Sequence, residues 1–198
     1  MKLAVRIGLV ILSLLSLEEA GFSQGTPKAE IFGGYSFARQ GDTNISAGWD
    51  GSVEAKFRNW FGIVADVSGH YHSKDLFVSQ GSSSAVVKSN LSLHMFRFGP
   101  QFTMRSGKAA PFVHALFGAA NAKVTGGLQV GSANFSVSNS STDFAAAVGG
   151  GVDIDVTDRF AVRAVQVDYS YFRNGSAVFG PGGSTNGVRI SGGVVFRF

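Results

Sequence analysis

The stretch that decides the fold is the last octet of the chain, Ser191-Gly192-Gly193-Val194-Val195-Phe196-Arg197-Phe198. In an extended conformation, successive side chains point to opposite faces of a sheet. Phe196 and Phe198 therefore share one face with Val194, while Arg197 shares the other face with Arg189 further upstream. One apolar face and one charged face predict a β-strand that separates two different environments.

The same alternation recurs upstream at spacings that fit hairpins. Apolar side chains occupy every second position, with polar or small residues between them. The pattern predicts eight antiparallel strands, at about residues 29–38, 49–57, 61–71, 91–104, 111–120, 143–156, 160–171 and 186–198. In the seventh, Arg163 shares parity with Val165 and Val167. Two interpretations stay open there: a bulge near Ala164, or Arg163 at the membrane edge.

The predicted connections alternate between short and long. Tight turns are predicted at residues 58–60, 105–109 and 157–159, and loops rich in Ser, Gly and Asn at residues 72–90, 121–142 and 172–185. Short turns on one side and long loops on the other are typical of outer-membrane barrels, whose long loops lie outside the cell. The predicted fold is therefore all-β: an eight-stranded antiparallel up-and-down transmembrane β-barrel.

The distribution of charge separates a barrel in lipid from a soluble β-sandwich, which alternates as well. The apolar faces carry Val, Ala, Ile, Phe and Gly, whereas the polar faces carry ionisable groups at mid-strand. Closure places the apolar face against lipid and leaves no open edge there. We predict a charge network in a lumen filled by side chains, with Arg97 pairing with Glu54, Asp66 or both. Its predicted members are Glu54, Lys56, Asp66, Arg97, Asp153 and Arg189.

The N-terminal segment has the features of a signal peptide. Two basic residues precede an apolar run at residues 7–17, which is too short to span a bilayer as a helix. Gly21 and Ser23 supply the small residues of a cleavage site after Ser23. An uncleaved anchor is the alternative. The predicted organisation is a signal peptide at residues 1–23 and one barrel domain at residues 24–198.

The C-terminal octet follows the order polar, any, Gly, any, any, aromatic, any, aromatic, with Gly193, Phe196 and Phe198 at its defining positions. Other pieces of the same kind are Phe-Gly-Pro-Gln-Phe at residues 98–102, Pro-Phe-Val-His-Ala at 111–115 and Gln-Val-Asp-Tyr at 166–169. Together they resemble the OmpA-like small outer-membrane β-barrel family over essentially the whole mature chain. The resemblance implies insertion by the outer-membrane assembly machinery, which recognises the last strand. Because the sequence ends at this strand, no peptidoglycan-binding domain is expected after the barrel domain.

Composition and spacing argue against several kinds of chemistry. The chain has no cysteine, and its formal charge of +4 comes from scattered basic residues, so neither thiolate chemistry nor a nucleic-acid partner is expected. His70 and His72 share a strand face without a third ligand nearby, so no metal and no cofactor are expected. Asp66 and Ser68 share that face. Side chains two apart on a strand stand about 7 Å apart, too far for a Ser–His hydrogen bond, so no catalytic residue is predicted.

The leading functional hypothesis is a non-enzymatic integral protein of the outer membrane. It would serve envelope integrity or surface interaction through its extracellular loops. Expected partners are outer-membrane lipid, lipopolysaccharide and the assembly machinery, and the chain is expected to be a monomer. Two alternatives stay open: a narrow pore or carrier of a small ligand, and a lipid A-modifying enzyme with a serine and a histidine at the membrane edge.

Overall fold

The computed structural model describes residues 28–40, 43–80, 83–130, 133–174 and 183–198. The predicted signal peptide lies outside these residues. Within them, no helix is long and apolar enough to cross a membrane. The strands are β1 (Ala29–Gln40), β2 (Thr43–Arg58), β3 (Phe61–Gln80), β4 (Ser83–Thr103), β5 (Ala109–Val130), β6 (Ala133–Asp155), β7 (Phe160–Asn174) and β8 (Gly183–Arg197).

The strands form one closed ring. Each pairs antiparallel with its neighbours in sequence, and β1 pairs with β8 to close the barrel. The closing seam begins at Glu30 opposite Arg197. Beyond it, the Phe198 N–H donates to the Ala29 carbonyl at 3.0 Å. The predicted eight-stranded up-and-down barrel is therefore confirmed.

The two faces of the sheet differ as the alternation predicts. The outward-facing apolar residues Val53, Val148 and Val194 are 39%, 66% and 53% exposed, whereas Asp66 and Arg97 are buried. Apolar surface of this kind is stable in a bilayer and identifies the lipid-facing belt. Exposed aromatic residues edge this belt: Phe57, Trp60, Phe102 and Phe160 at the end with short turns, and Tyr35, Trp49, Tyr71, Tyr169 and Tyr171 towards the other.

A bulge fixes the phase of β7. The register between β7 and β8 shifts between Arg163 and Gln166. Ala164 and Val165 are both exposed, while Arg163 and Gln166 on either side are buried. The prediction of a bulge near Ala164 is confirmed. The alternative that places Arg163 at the membrane edge is wrong, because Arg163 points into the lumen.

Two of the predicted loops, residues 72–90 and 121–142, are mostly strand. Their residues extend β3 and β4 in the first case, and β5 and β6 in the second. The third predicted loop, residues 172–185, also loses its ends, because β7 continues to Asn174 and β8 begins at Gly183. The loop predictions are wrong here for a physical reason. Outside a bilayer neither face has to be apolar, so strands can continue without the alternation that reveals them in lipid.

Strands β3 to β6 continue far beyond the lipid-facing belt. They have 20, 21, 22 and 23 residues, whereas a tilted strand crosses a bilayer with about 9–11. The part of these strands beyond the belt is called the projecting sheet, and consists of residues 72–80, 83–92, 121–130 and 133–142. It lies at the end opposite the three short turns. Because the short turns of outer-membrane barrels lie in the periplasm, we expect the sheet to be extracellular.

Replacing Val148 by lysine tests the lipid-facing assignment. Val148 is 66% exposed within the belt, so a charged group there has to enter lipid. The free energy of unfolding should fall by about 2–4 kcal/mol, measured by urea titration of the barrel refolded in lipid vesicles. Ser138→Lys is the matched control, since Ser138 lies on the same strand and face but in the projecting sheet. Equal losses in the two variants would contradict the assignment.

Candidate functional site

The charged groups of the barrel interior gather around Arg189. Its guanidinium donates to Asp50 at 3.0 Å, to Asp66 at 2.9 Å and to Asp168 at 2.9 Å. Arg189 is 1% exposed. The three acids come from β2, β3 and β7, so one side chain of β8 joins separate parts of the ring. Because a buried charge without its partner is strongly destabilising, Arg189 is a central contact of the fold.

Arg97 is a second cation that contacts Asp66, one of these three acids. Its Nη2 donates to Asp66 Oδ1 at 2.8 Å, and its Nη1 donates to Ser170 Oγ at 3.1 Å. Of the two acids predicted as its partners, the structure pairs Arg97 with Asp66. Glu54 accepts a hydrogen bond from Gln101 at 2.7 Å instead. The central cluster is defined as Asp50, Asp66, Arg97, His114, Asp168 and Arg189.

A second group of charges fills the periplasmic end of the lumen. Lys56 Nζ lies 3.0 Å from Glu54 and 3.6 Å from Glu30. Arg197 Nε lies 3.0 Å from the same Glu30, which Arg105 also contacts. This periplasmic cluster has four acids and four bases, so its formal charges cancel. The members are Glu30, Glu54, Asp153, Asp155, Lys56, Arg105, Arg163 and Arg197.

Arg163 stands between two aromatic rings. Its guanidinium carbon lies 4.3 Å from the ring centroids of both Phe32 and Phe112, and its Nε donates to Asp153 at 2.8 Å. Cation–π contacts on both faces stabilise the planar guanidinium inside the lumen. Arg163 is absent from the predicted network because its direction depends on the bulge in β7.

The extracellular end of the lumen is closed by apolar side chains. Leu93, Met95 and Phe172 are each at most 3% exposed. With their alanine neighbours they form the apolar plug, which consists of Leu93, Met95, Ala120, Ala122, Ala145 and Phe172. A pocket beside Leu93, Phe172 and Arg189 has a volume of about 10 Å³, room for about one water molecule. The described interior is a packed core with polar layers beneath an apolar one.

Three lumen-facing glycines make room for contacts between strands that are not neighbours. A Cβ added at Gly48, Gly62 or Gly149 would come within 2.3 Å of a side chain on an adjacent strand. That side chain reaches over the glycine to a third strand. The three pairs are Ser36–His70 over Gly48, Glu54–Gln101 over Gly62, and His114–Asp168 over Gly149. Glycine at these positions therefore lets the lumen network cross the ring.

Gly149→Ala is expected to destabilise the barrel by about 1–3 kcal/mol. The added Cβ would lie 2.0 Å from Asp168 Oδ1 and 2.5 Å from the Val167 carbonyl oxygen, which displaces Asp168 from His114. Urea unfolding of the refolded protein measures the loss. Gly126→Ala is the control, because a Cβ there would meet nothing nearer than 4.0 Å. Wild-type stability of Gly149→Ala would show that the crossing contact does not need this glycine.

Comparison with known proteins identifies the family. The model of the family described as outer membrane protein beta-barrel domain matches residues 7–198. The chain belongs to this family. Its barrel fold and this membership place it in the outer membrane. No curated protein matches the chain.

Solved structures of outer-membrane barrels share the fold. Ail, the attachment invasion locus protein of Yersinia pestis, in complex with the heparin analogue sucrose octasulfate, has a TM-score of 0.60 and 18% identity, covering 88% of this chain and 100% of Ail. A second Ail structure has a TM-score of 0.55 and 17% identity, covering 88% and 100%. Neisserial surface protein A has a TM-score of 0.48 and 14% identity, covering 86% and 96%. At these identities the similarity concerns the fold.

The predicted assembly signal lies at the seam of this outer-membrane barrel. The Phe196 ring packs edge-on against Phe160 at 4.8 Å and against Phe198 at 4.5 Å. A Cβ at Gly193 would lie 2.3 Å from the Gly33 carbonyl oxygen, so glycine lets β8 pass close to β1. These three residues belong to the chain end that closes the barrel. Their recognition by the assembly machinery stays a prediction.

In the polar series Asp66, Ser68 and His70, the serine and the histidine do not hydrogen-bond to each other. The Ser68 Oγ is buried without a hydrogen-bond partner among the described residues, and His70 Nε2 lies 2.8 Å from Ser36 Oγ. Ser36 and His70 are both 0% exposed. Within the described part of the outer-membrane barrel, no three His, Cys, Asp or Glu side chains gather as a metal site.

Three members of the central cluster are absent from the predicted network: Asp50, His114 and Asp168. Strand parity is the signal that could have found them. Asp50 alternates with Trp49 and Gly51, and Asp168 alternates with outward-facing neighbours in the same way. A lumen prediction for this family should therefore include every ionisable residue on the inward parity.

Proposed function

We propose that this outer-membrane barrel is a non-enzymatic protein that binds a partner at the cell surface through its projecting sheet. The observation that carries the proposal is the length of β3 to β6, 20 to 23 residues, about twice what a bilayer crossing needs. Strand beyond the bilayer adds nothing to anchoring in lipid. Its surface is available for contact with other molecules.

The projecting sheet exposes apolar side chains to water. Phe135 and Val137 are 62% and 74% exposed, on the face of β6 that continues the lumen wall. Apolar surface exposed outside lipid marks interaction sites when it forms a patch. Among the described side chains of the opposite face are the exposed cations Lys88 and Lys123. The sheet therefore offers two chemically different faces and its edges.

The filled interior supports the non-enzymatic part of the proposal. The buried Ser36–His70 pair is remote from any substrate in lipid or water. A narrow pore would need a polar path past Leu93, Met95 and Phe172 in the apolar plug. In this proposal the barrel is a monomer in outer-membrane lipid and lipopolysaccharide, inserted by the outer-membrane assembly machinery.

A trimmed variant tests the role of the projecting sheet. Residues 74–89 and 123–140 are each replaced by Asn-Gly, a turn sequence for two-residue hairpins. The joined strand ends already face each other, Ser73 opposite Asn90 and Ala122 opposite Ser141. The barrel should still fold, shown by heat-modifiable migration on gels, while the binding surface is lost.

Binding is measured on cells that display either protein. The probe is immobilised heparin, chosen because Ail was solved with a heparin analogue. Wild-type cells should bind it, and trimmed cells should not. Equal binding by both would overturn the proposal. Stable openings that pass sugars in planar bilayers would favour the pore alternative.

A further inference from the structure

The projecting sheet has two open edges. Pairing between β2 and β3 begins at Ala47 opposite Tyr71, and pairing between β6 and β7 begins at Phe144 opposite Arg173. Among the described residues, β3 beyond Tyr71 pairs with β4 alone, and β6 before Phe144 pairs with β5 alone. One row of backbone N–H and C=O groups on each strand therefore has no ladder partner in the part of the chain that the structure describes. Such a row is a template for a further strand.

The two edges differ in their protection against strand addition. The β3 edge carries the adjacent charges Lys74 and Asp75. The β6 edge, residues 133–142, reads Ala-Asn-Phe-Ser-Val-Ser-Asn-Ser-Ser-Thr, without a charged residue or a proline. Charged residues, lysine above all, and proline are the devices by which proteins block an open edge. The β6 edge lacks them and is the receptive one.

The side chains of the β6 edge alternate in character. Phe135 and Val137 lie on one face at 62% and 74% exposure, and the exposed Ser136 and Ser138 lie on the other. A strand added beside β6 would cover Phe135 and Val137 if it carried apolar side chains on the same face. The edge thus combines unpaired backbone groups with an apolar row.

We propose that the β6 edge binds an extended, uncharged peptide segment of a soluble partner by strand addition. Backbone hydrogen bonds along residues 133–142 supply affinity, and apolar side chains at alternate positions of the peptide supply selectivity. The inference rests on the proposed function, because it names the chemistry of the partner that the projecting sheet binds.

A second copy in the same membrane does not fit this edge. Symmetric dimers in one membrane are related by a twofold axis along the membrane normal. That axis leaves both β6 strands descending towards the membrane, so they cannot pair antiparallel. Strands tilted by roughly 35–45° then cross at roughly 70–90°, which excludes a parallel ladder as well. The occupant has to approach from solution.

The experiment measures binding of a labelled decapeptide of alternating Thr and Val to the full mature chain in nanodiscs. Wild-type protein should bind it, and the same peptide N-methylated at alternate residues should bind at least about tenfold more weakly, because backbone donors are lost. Ser136→Lys with Ser138→Lys charges the edge and should weaken binding by about tenfold or more. Asn90→Lys with Ser92→Lys is the matched control, since both residues lie on the same face of the central strand β4.

The outcomes separate the inference from the proposed function. Loss of binding in the edge variant with retention in the β4 control supports strand addition at β6. Absence of peptide binding to wild-type protein, or unchanged binding in the edge variant, overturns the inference. If strand addition fails in this way but the trimmed variant no longer binds the surface probe, the proposed function is still supported without the inference. If the trimmed variant keeps both ligands, both proposals fail.

Discussion

Deleting Phe198 is expected to lower the amount of folded protein in the outer membrane by about tenfold or more, because it removes the terminal aromatic residue of the last strand and the backbone hydrogen bonds at the end of the closing seam. The Phe198 N–H donates to the Ala29 carbonyl at 3.0 Å, and its carbonyl accepts from the Lys28 N–H at 2.8 Å. Its ring packs against Phe196 at 4.5 Å. The family resemblance adds recognition of this last strand by the assembly machinery. Outer-membrane fractionation and heat-modifiable migration measure the loss.

Two variants separate recognition of the last strand by the assembly machinery from the structural role of the strand in closing the barrel. Phe198→Tyr keeps the aromatic ring and should assemble like wild type. Arg197→Ser removes an inward side chain paired with Glu30 and Asp155, so it should insert normally but unfold at lower urea. Refolding the Phe198 deletion in detergent, without any machinery, shows how much of the defect is structural. Wild-type assembly of the deletion in cells would remove the role assigned to this residue.

The membrane-spanning part of the fold can be predicted from sequence, because lipid requires an apolar side chain at every second position of a strand. On β6, Val148 must face lipid and Asp153 must not, so the alternation survives selection for stability. Even the bulge in β7 leaves a trace, since it brings Arg163 onto the parity of Val165. Such a break in phase can be recognised whenever a charged residue falls on the apolar parity.

The strands of the projecting sheet cannot be predicted from alternation of apolar and polar residues. Ser73 pairs with Asn90, and Lys123 with Ser140, and none of these side chains has to be apolar in water. Backbone hydrogen bonds continue the strands while the sequence has the composition of a loop. Periodicity therefore reports the environment of a strand rather than its existence.

The sequence predicts which charged residues face the lumen, but it does not predict which of them contact each other. Asp66 and Arg97 face each other on adjacent strands, as do Asp168 and Arg189. The contact of Arg189 with Asp66 crosses the lumen and depends on the stagger of the whole ring. The spacing of residues within one strand does not determine this stagger between strands. Inward charges can thus be predicted one by one, whereas the network needs the closed barrel.

Arg189→Met is expected to cost about 3–5 kcal/mol of stability, because it leaves buried carboxylates without their cation. Asp50 and Asp168 lose a partner at 3.0 Å and 2.9 Å, while Asp66 keeps Arg97. Methionine has a similar length and no charge, so the change is mainly electrostatic. Urea unfolding in lipid vesicles, followed by the fluorescence of the two tryptophans, gives the free energy.

The cause of that loss is tested by removing the stranded charges as well. Adding Asp50→Asn and Asp168→Asn to Arg189→Met should restore more than half of the lost stability, since amides tolerate burial without a cation better than carboxylates do. Arg173→Met is the surface control, because Arg173 is exposed at the end of β7 and should change stability by no more than about 0.5 kcal/mol. If Arg189→Met unfolds at the wild-type midpoint, the central cluster does not hold the ring together. If the triple variant is as unstable as Arg189→Met, lost packing rather than uncompensated charge is the cause.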